Sequence, residues 1–323
     1  MDREYYKSHT MSWGTLGTVR PFSGFQPQRD VIQIQKAMEK KDAAPLVRIL
    51  TNRNNAQRQH IAKIYKDTTQ QNLIAGLKKV LSGDLEALML ELMMPPSQHE
   101  AYRLQQAMAG LGTDEETLLE IMCTRSGKEL RDISAAYKES YCFIYFSVYK
   151  KDLEKEAKGE TSGDFAKLIV ALINKEDVTG FVQKDIESLL ASLNKKKADA
   201  APWIDILTSR DLTHLNKVLM GLELESGHMM IPALEKIFSG DIRLGLTVLV
   251  ECIQNPDAYL AKRLTSMKAP IVQGIMVSHS EKDLLSIRVA FLKMTGTSLY
   301  TTLQKHFKGY HLEALLAICR SED

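Results

Sequence analysis

The chain lacks any uninterrupted apolar run near the roughly 20 residues that a membrane-spanning helix needs. Its longest apolar stretches, 168–173 and 246–250, are the size of core-helix pieces. The opening MDREYYKSHTMSWG is polar and lacks the apolar stretch of a secretory signal, which leads us to expect a cytoplasmic protein. A charge excess is missing too: 42 Lys and Arg stand against 40 Asp and Glu, a net +2. With no global positive field, no nucleic-acid partner is expected, and any anionic partner must be met by a local patch. Four cysteines (Cys123, Cys142, Cys252, Cys319) show neither CxxC nor metal-ligand spacing, and they read as reduced, buried thiols. Eight scattered histidines form no HExxH or acid–base constellation, and no P-loop, GxSxG or strand-borne GxGxxG occurs. The chain is therefore not expected to be an enzyme. Strand-like alternation is nearly absent.

What is present is a repeat. A composition of 44% hydrophobic and 25% charged residues suits a soluble chain with a sizeable core. Four segments end in a Thr/Ser-x-Arg-like turn: ILTNR at Arg53, MCTR at Arg125, ILTSR at Arg210 and MVSH at His279. Four others enter an apolar helix through a small-residue turn, at Gly83, Gly163, Gly240 and Gly309. Thirty residues separate Arg53 from Gly83, Arg210 from Gly240 and His279 from Gly309, whereas thirty-eight separate Arg125 from Gly163. Each unit is about 70 residues long.

Within a unit the apolar period is helical. Ile61, Ile64, Tyr65, Leu73, Leu77 and Leu81 recur at threes and fours with Lys and Gln between them. Gly, Asn and Ser turns divide the pattern into about five short helices per repeat. No single unit can cover its own apolar faces, so the four must associate.

These residues resemble the annexin family, and the resemblance runs from about residue 26 to the end. Its carriers include AMAGLGTDEETLLEIMCTRS at 107–126, NNAQRQHIAKIY at 54–65, GETSGDFAKLIVAL at 159–172, MVSHSEKDLLSIRVAF at 276–291 and LEALLAICRSED at 312–323. The resemblance implies an all-α fold: four repeats of about five helices each, arranged as a curved disc with calcium loops on the membrane-facing side. The expected division is a tail at 1–25 and repeats at 26–97, 98–174, 175–254 and 255–323.

The second repeat carries the chemistry. Calcium takes six to eight oxygen ligands, often backbone carbonyls with a bidentate carboxylate. In 108–113, MAGLGT, two glycines permit a tight loop whose carbonyls can converge, and Asp114 can cap the next helix. By the family pattern the ligands are the carbonyls of Met108, Gly110 and Gly112, with Glu160 as the carboxylate. The other loops depart from that pattern. Repeat one has KAMEKKDAAPL, with Val80 in place of the acid. Repeat three has LNKKKADAAPW, with Phe238 or a neighbour in that place, and repeat four has the cropped SMKAPIVQ and the turn HFKGYH. Asp42, Asp114 and Asp199 each precede the landmark Arg by eleven residues, so the capping Asp persists where the loop has changed. Lys40 and Lys41 in repeat one, and Lys195, Lys196 and Lys197 in repeat three, then become candidate contacts to anionic lipid.

The resemblance thus implies a calcium-dependent phospholipid-binding protein, peripheral on the inner face of cellular membranes, with one calcium site in repeat two. The alternative is a calcium-independent helical scaffold that binds proteins, or anionic lipid through its basic loops. A protein partner reached through the N-terminal tail is a further implication, although residues 1–25 show no apolar helical face and read as a loosely held terminus. The eight extra residues of repeat two fall near 142–149, CFIYFSVY. They read as a harmless bulge or an error of sequence assembly in preference to a membrane or partner contact.

Overall fold

The computed structural model describes residues 16–110, 112–139, 141–142, 147–148, 152–195 and 199–320. Twenty helices lie among them, five to a repeat. The first repeat holds α1 (Pro27–Lys40), α2 (Ala43–Thr51), α3 (Asn55–Thr69), α4 (Leu73–Val80) and α5 (Gly83–Leu92). The second holds α6 (Pro96–Met108), α7 (Glu115–Thr124), α8 (Gly127–Glu139), α9 (Leu153–Glu160) and α10 (Gly163–Ile173). The third holds α11 (Val182–Leu193), α12 (Ala201–Ser209), α13 (Leu212–Ser226), α14 (Met230–Ile237) and α15 (Gly240–Gln254). The fourth holds α16 (Pro256–Leu264), α17 (Ala269–His279), α18 (Leu284–Thr295), α19 (Leu299–His306) and α20 (Gly309–Cys319). The all-α, four-repeat expectation agrees with this order. The departure among the described residues is a two-residue antiparallel pair, β1 (Tyr141–Cys142) with β2 (Ser147–Val148), between α8 and α9. The extra length of repeat two therefore falls in that connection; residues 143–146 and 149 of the insertion lie outside the described residues.

The turn glycines show why thirty residues recur. Gly83, Gly163, Gly240 and Gly309 adopt φ of +61°, +60°, +62° and +61°, a left-handed backbone that side-chain-bearing residues enter at a cost. Each follows an eight-residue helix, so α4, α9, α14 and α19 end at Val80, Glu160, Ile237 and His306, three residues before the glycine. Ile237 rather than Phe238 is thus the repeat-three counterpart of Glu160.

The landmark arginines have a structural reason as well. Arg53 donates two hydrogen bonds to Asp30 of α1, at 2.7 and 2.8 Å. Arg125 reaches Glu100 of α6, and Arg210 reaches Asp185 of α11 at 2.9 Å. Burial works against the Arg125 charge, but the Glu100 carboxylate overrides it and raises the guanidinium pKa. His279, in the Arg position of repeat four, is 1% exposed and meets Asp283 at 2.5 Å, the structural role its placement suggests.

The chain divides into two compact units, 16–99 with 260–320, and 100–142 with 147–259, taking the described residues of each. In the first, α20 packs on α2 and α5, and α17 packs on α5 and α20. Residues 16–20, expected within a loosely held tail, are instead built into this unit. Val19 is 1% exposed, its N–H bonds Ser280 O at 2.8 Å, and Thr18 donates its hydroxyl to Ile318 O at 2.6 Å. In the second unit α11 lies against α13, α7 against α15 and α10 against α12. Trp203 is fully buried there, edge-on to Phe238, with its indole N–H on Ser192 Oγ at 3.1 Å. Cys123, Cys252 and Cys319 are free, buried thiols, as expected; the Cys142 side chain lies outside the described atoms.

Candidate metal centre

The loop between α6 and α7 begins where the helix loses its i→i+4 bonds, at Met108. Gly110 and Gly112 take φ of +111° and +96°, values that a Cβ would strain, and nothing within 4 Å would otherwise obstruct one. The Asp114 N–H bonds back to Ala107 O at 2.7 Å and closes the loop on itself. Asp114 then caps α7, accepting from Thr117 N–H at 3.0 Å. Within the loop, the carbonyls of Met108, Gly110 and Gly112 accept no backbone hydrogen bond from any described residue. Leu111 lies outside the described residues.

Glu160 is the last residue of α9, exposed, and in no ion pair among the described residues. Thr113 connects it to the loop: its hydroxyl donates to Glu160 O at 3.2 Å, across 47 residues of chain. Glu160 also contributes to a local negative field. Tyr137 donates to Glu156 Oε2 at 2.6 Å, and burial, then that bond, then the charges of Glu156 and Glu160 raise its pKa well above the ordinary phenol value. Thr113 is absent from the expected ligand set; its signal in the sequence is a hydroxyl residue set between the second loop glycine and the capping Asp.

The donor chemistry fits a hard divalent cation. Three carbonyls without a backbone donor and one carboxylate-bearing residue, whose backbone O is tied to the loop by Thr113, offer only oxygen. Among the described residues no three His, Cys, Asp or Glu side chains cluster as metal ligands, so a centre here depends on the backbone.

The sister loops are built differently. In repeat one, Lys41 sits at φ +53° with its N–H on Met38 O, and Asp42 N–H takes Ala37 O at 2.9 Å. Ala37 and Asp42 are five residues apart, whereas their counterparts Ala107 and Asp114 are seven apart, so the repeat-one loop is two residues shorter, and Met38 O, unlike Met108 O, accepts a backbone bond. In repeat four, Thr265, Ser266 and Met267 donate in succession to Lys262, Arg263 and Leu264, at 3.2, 3.3 and 3.1 Å. Lys40 and Lys41 are exposed in the repeat-one turn. Lys195 is exposed and pairs with Asp199 at 2.7 Å; Lys196 and Lys197 lie outside the described residues. Asp42 caps α2 as expected. Asp199 accepts from Ala201 N–H at 3.2 Å, although α12 takes Ala200 as its formal cap.

Comparison with known proteins gives matches in repeats one, two and four. A family model described as Annexin matches residues 29–92, 99–172 and 271–318. The chain is 33% identical to mouse annexin A9 over 327 residues, covering 97% of this chain and 92% of that protein. It is 36% identical to annexin A1 of Cavia cutleri over 336 residues, covering 98% and 94%. The solved structure of annexin III superposes with a TM-score of 0.90 at 34% identity, over 95% of this chain and 98% of the other.

Proposed function

The chain belongs to the annexin family, whose members bind phospholipid membranes in a calcium-dependent way, and on that premise we propose that it docks peripherally on anionic phospholipid through one calcium site, in repeat two. The observation that carries this reading is the Thr113–Glu160 hydrogen bond, which ties the acid-tipped fourth helix of repeat two to the two-glycine loop between α6 and α7. Met108, Gly110 and Gly112 would supply three carbonyl oxygens, and Glu160 a bidentate carboxylate. Calcium bound there supplies a positive centre with coordination positions left for a lipid phosphate. The protein's own part is to hold the loop open: the glycines accept the left-handed backbone, Asp114 anchors the far end, and Thr113 keeps the carboxylate-bearing turn in reach.

A single site makes a weak contact. Avidity between linked sites can multiply affinity by about 10² to 10⁴, and three of the four repeats would not contribute to it through calcium. The proposed protein therefore binds membranes at high calcium, or gains affinity from its basic loops, Lys40 and Lys41 in repeat one and Lys195, Lys196 and Lys197 in repeat three. No helix among the described residues is long and apolar enough to cross a membrane. A cytoplasmic protein recruited to the inner face of cellular membranes, with no catalytic role, completes the reading.

The second reading, a calcium-independent scaffold, draws support from the internally bonded loops of repeats one and four. Cosedimentation with phosphatidylserine vesicles, wild type against Glu160→Gln over a calcium series, separates the two. Calcium-dependent pelleting that the substitution weakens supports the first. A wild-type protein that pellets at no calcium level refutes it.

A further inference from the structure

A cavity of about 520 Å³ opens where α1 begins and α2 ends. Its walls carry Arg29 and Gln33 of α1, Arg48 and Asn52 of α2, and Phe22 from the segment before α1. Gln57 fastens that segment: its side-chain amide accepts from Phe22 N–H and donates to Phe22 O, both at 3.0 Å. One face of the Phe22 ring stacks on the Arg53 guanidinium, and the residue remains 44% exposed.

The charges around this cavity do not balance. Asp30 is the acid in its lining, and Arg53 occupies both carboxylate oxygens. Arg29 is exposed and makes no side-chain bond to any described residue. Arg48 is exposed and donates to the neutral Gln33 Oε1 at 3.1 Å. Gln33 lies one helical turn after Arg29 on the same face of α1, so that bond draws the Arg48 guanidinium toward Arg29. A third cation stands at the rim, where Arg320 Nη2 donates to Asn52 Oδ1 at 2.9 Å. Burial, then the charge of Arg20, lowers the Arg320 pKa, so this rim is itself positive. Like charges gathered without an acid repel one another, and a bound anion would remove that cost.

We infer that this cavity binds a small soluble polyphosphate, with linked phosphoryl groups shared between Arg29 and Arg48 and steadied by Arg320 at the rim. A guanidinium offers paired N–H donors that match phosphate oxygens, and cations from two helices suit an anion with more than one charged group. The volume falls within the roughly 300–1,000 Å³ of small-molecule pockets, which favours a compact ligand over a strand or a membrane. The open face of Phe22 is available to any ring or chain that the phosphates carry. Position separates this site from the turns proposed to meet lipid. α1 has 14 residues, so about 20 Å of helix lies between the cavity and the Lys40–Lys41 turn. The site goes beyond the membrane-docking reading, and binding there needs neither calcium nor lipid.

The test is isothermal titration calorimetry of the full-length chain in phosphate-free buffer with EGTA, using sodium pyrophosphate, then orthophosphate and sulfate. Wild type is expected to bind one pyrophosphate per chain, about tenfold or more tighter than either smaller anion. Arg29→Gln breaks no side-chain bond of the fold and should weaken pyrophosphate binding several-fold. Arg29→Gln/Arg48→Gln should weaken it about tenfold or more, with an unchanged urea midpoint. Lys40→Gln/Lys41→Gln, at the far end of α1, should bind as wild type does. Absence of saturable binding overturns the inference, as does wild-type affinity in the Arg29→Gln/Arg48→Gln variant. Equal affinity for all three anions marks an adventitious ion only and overturns it. An equal loss in the Lys40→Gln/Lys41→Gln variant would reduce the effect to general surface charge and also overturn it. Each of these results leaves the calcium site of repeat two untouched, because no calcium or vesicle is present.

Discussion

Arg53 holds both carboxylate oxygens of Asp30, at 2.7 and 2.8 Å, with its guanidinium stacked 3.9 Å from the centre of the Phe22 ring. Both side chains are nearly buried, at 10% and 6% exposure. Removing one member of such a pair leaves the other charge without compensation, at a cost of about 3–5 kcal/mol. Asp30→Ala should therefore lower the urea midpoint sharply, while replacing both residues by apolar side chains should cost much less. Equal losses for single and double variants would show that packing, not charge, dominates at this position.

Spacing exposed the repeat because the turn glycine and the landmark Arg each obey a constraint that varies little between copies. The acids that meet those arginines were not visible by counting. Asp30 precedes its Arg by 23 residues and Glu100 by 25, since the repeat-one loop is two residues shorter. Contacts made across a loop inherit the variation of that loop, whereas contacts within a helix do not. The same shortening bears on the calcium loops: the missing glycines are legible in the sequence, whereas the bond from Lys41 N–H that occupies Met38 O is visible only in the fold. The segment 16–20 shows no periodicity that would mark it as packed. Its order comes from bonds to Ser280 and Ile318, far away in sequence.

Gly112 offers a test of the loop that leaves the ligands untouched. At φ +96° an alanine there carries a backbone strain of about 1–3 kcal/mol, with no steric clash to add to it. The loop can relieve that strain by changing shape, so global stability should fall little. The calcium needed for half-maximal vesicle binding should rise about tenfold for each 1.4 kcal/mol of strain. An unchanged calcium requirement in Gly112→Ala would argue against these carbonyls as ligands.

The buried thiols should be chemically silent. Burial pushes the Cys123 thiol up to about 12, and burial together with neighbouring Cys123 raises Cys252 well above its ordinary value. The thiolate is the reactive form, so iodoacetamide at about pH 8 should leave both unmodified in the native protein and label them in denaturant. Mass spectrometry of the peptides reads the result. Rapid native labelling of Cys123 would mean that the contact of α7 with α15 opens readily.

His311 makes stability depend on pH, and the sign follows from its surroundings. Burial pulls its pKa below the ordinary 6.5, with the Asp84 carboxylate offsetting part of the shift. The geometry agrees: Gln273 donates to Asp84 O with one amide hydrogen, which leaves the other for His311 Nε2, so that nitrogen accepts and the ring is neutral. Protonating Nε2 would set two donors against each other. Between 6.5 and the lower folded value the unfolded chain holds a proton that the folded chain does not, so stability falls as pH drops through that window. His311→Gln keeps a neutral side chain throughout. Relative to wild type it should flatten the decline in urea midpoint below pH 6.5 while changing little above pH 7.5. A wild-type minus variant difference that is independent of pH would place the ring's proton elsewhere and remove the basis for this hydrogen-bond assignment.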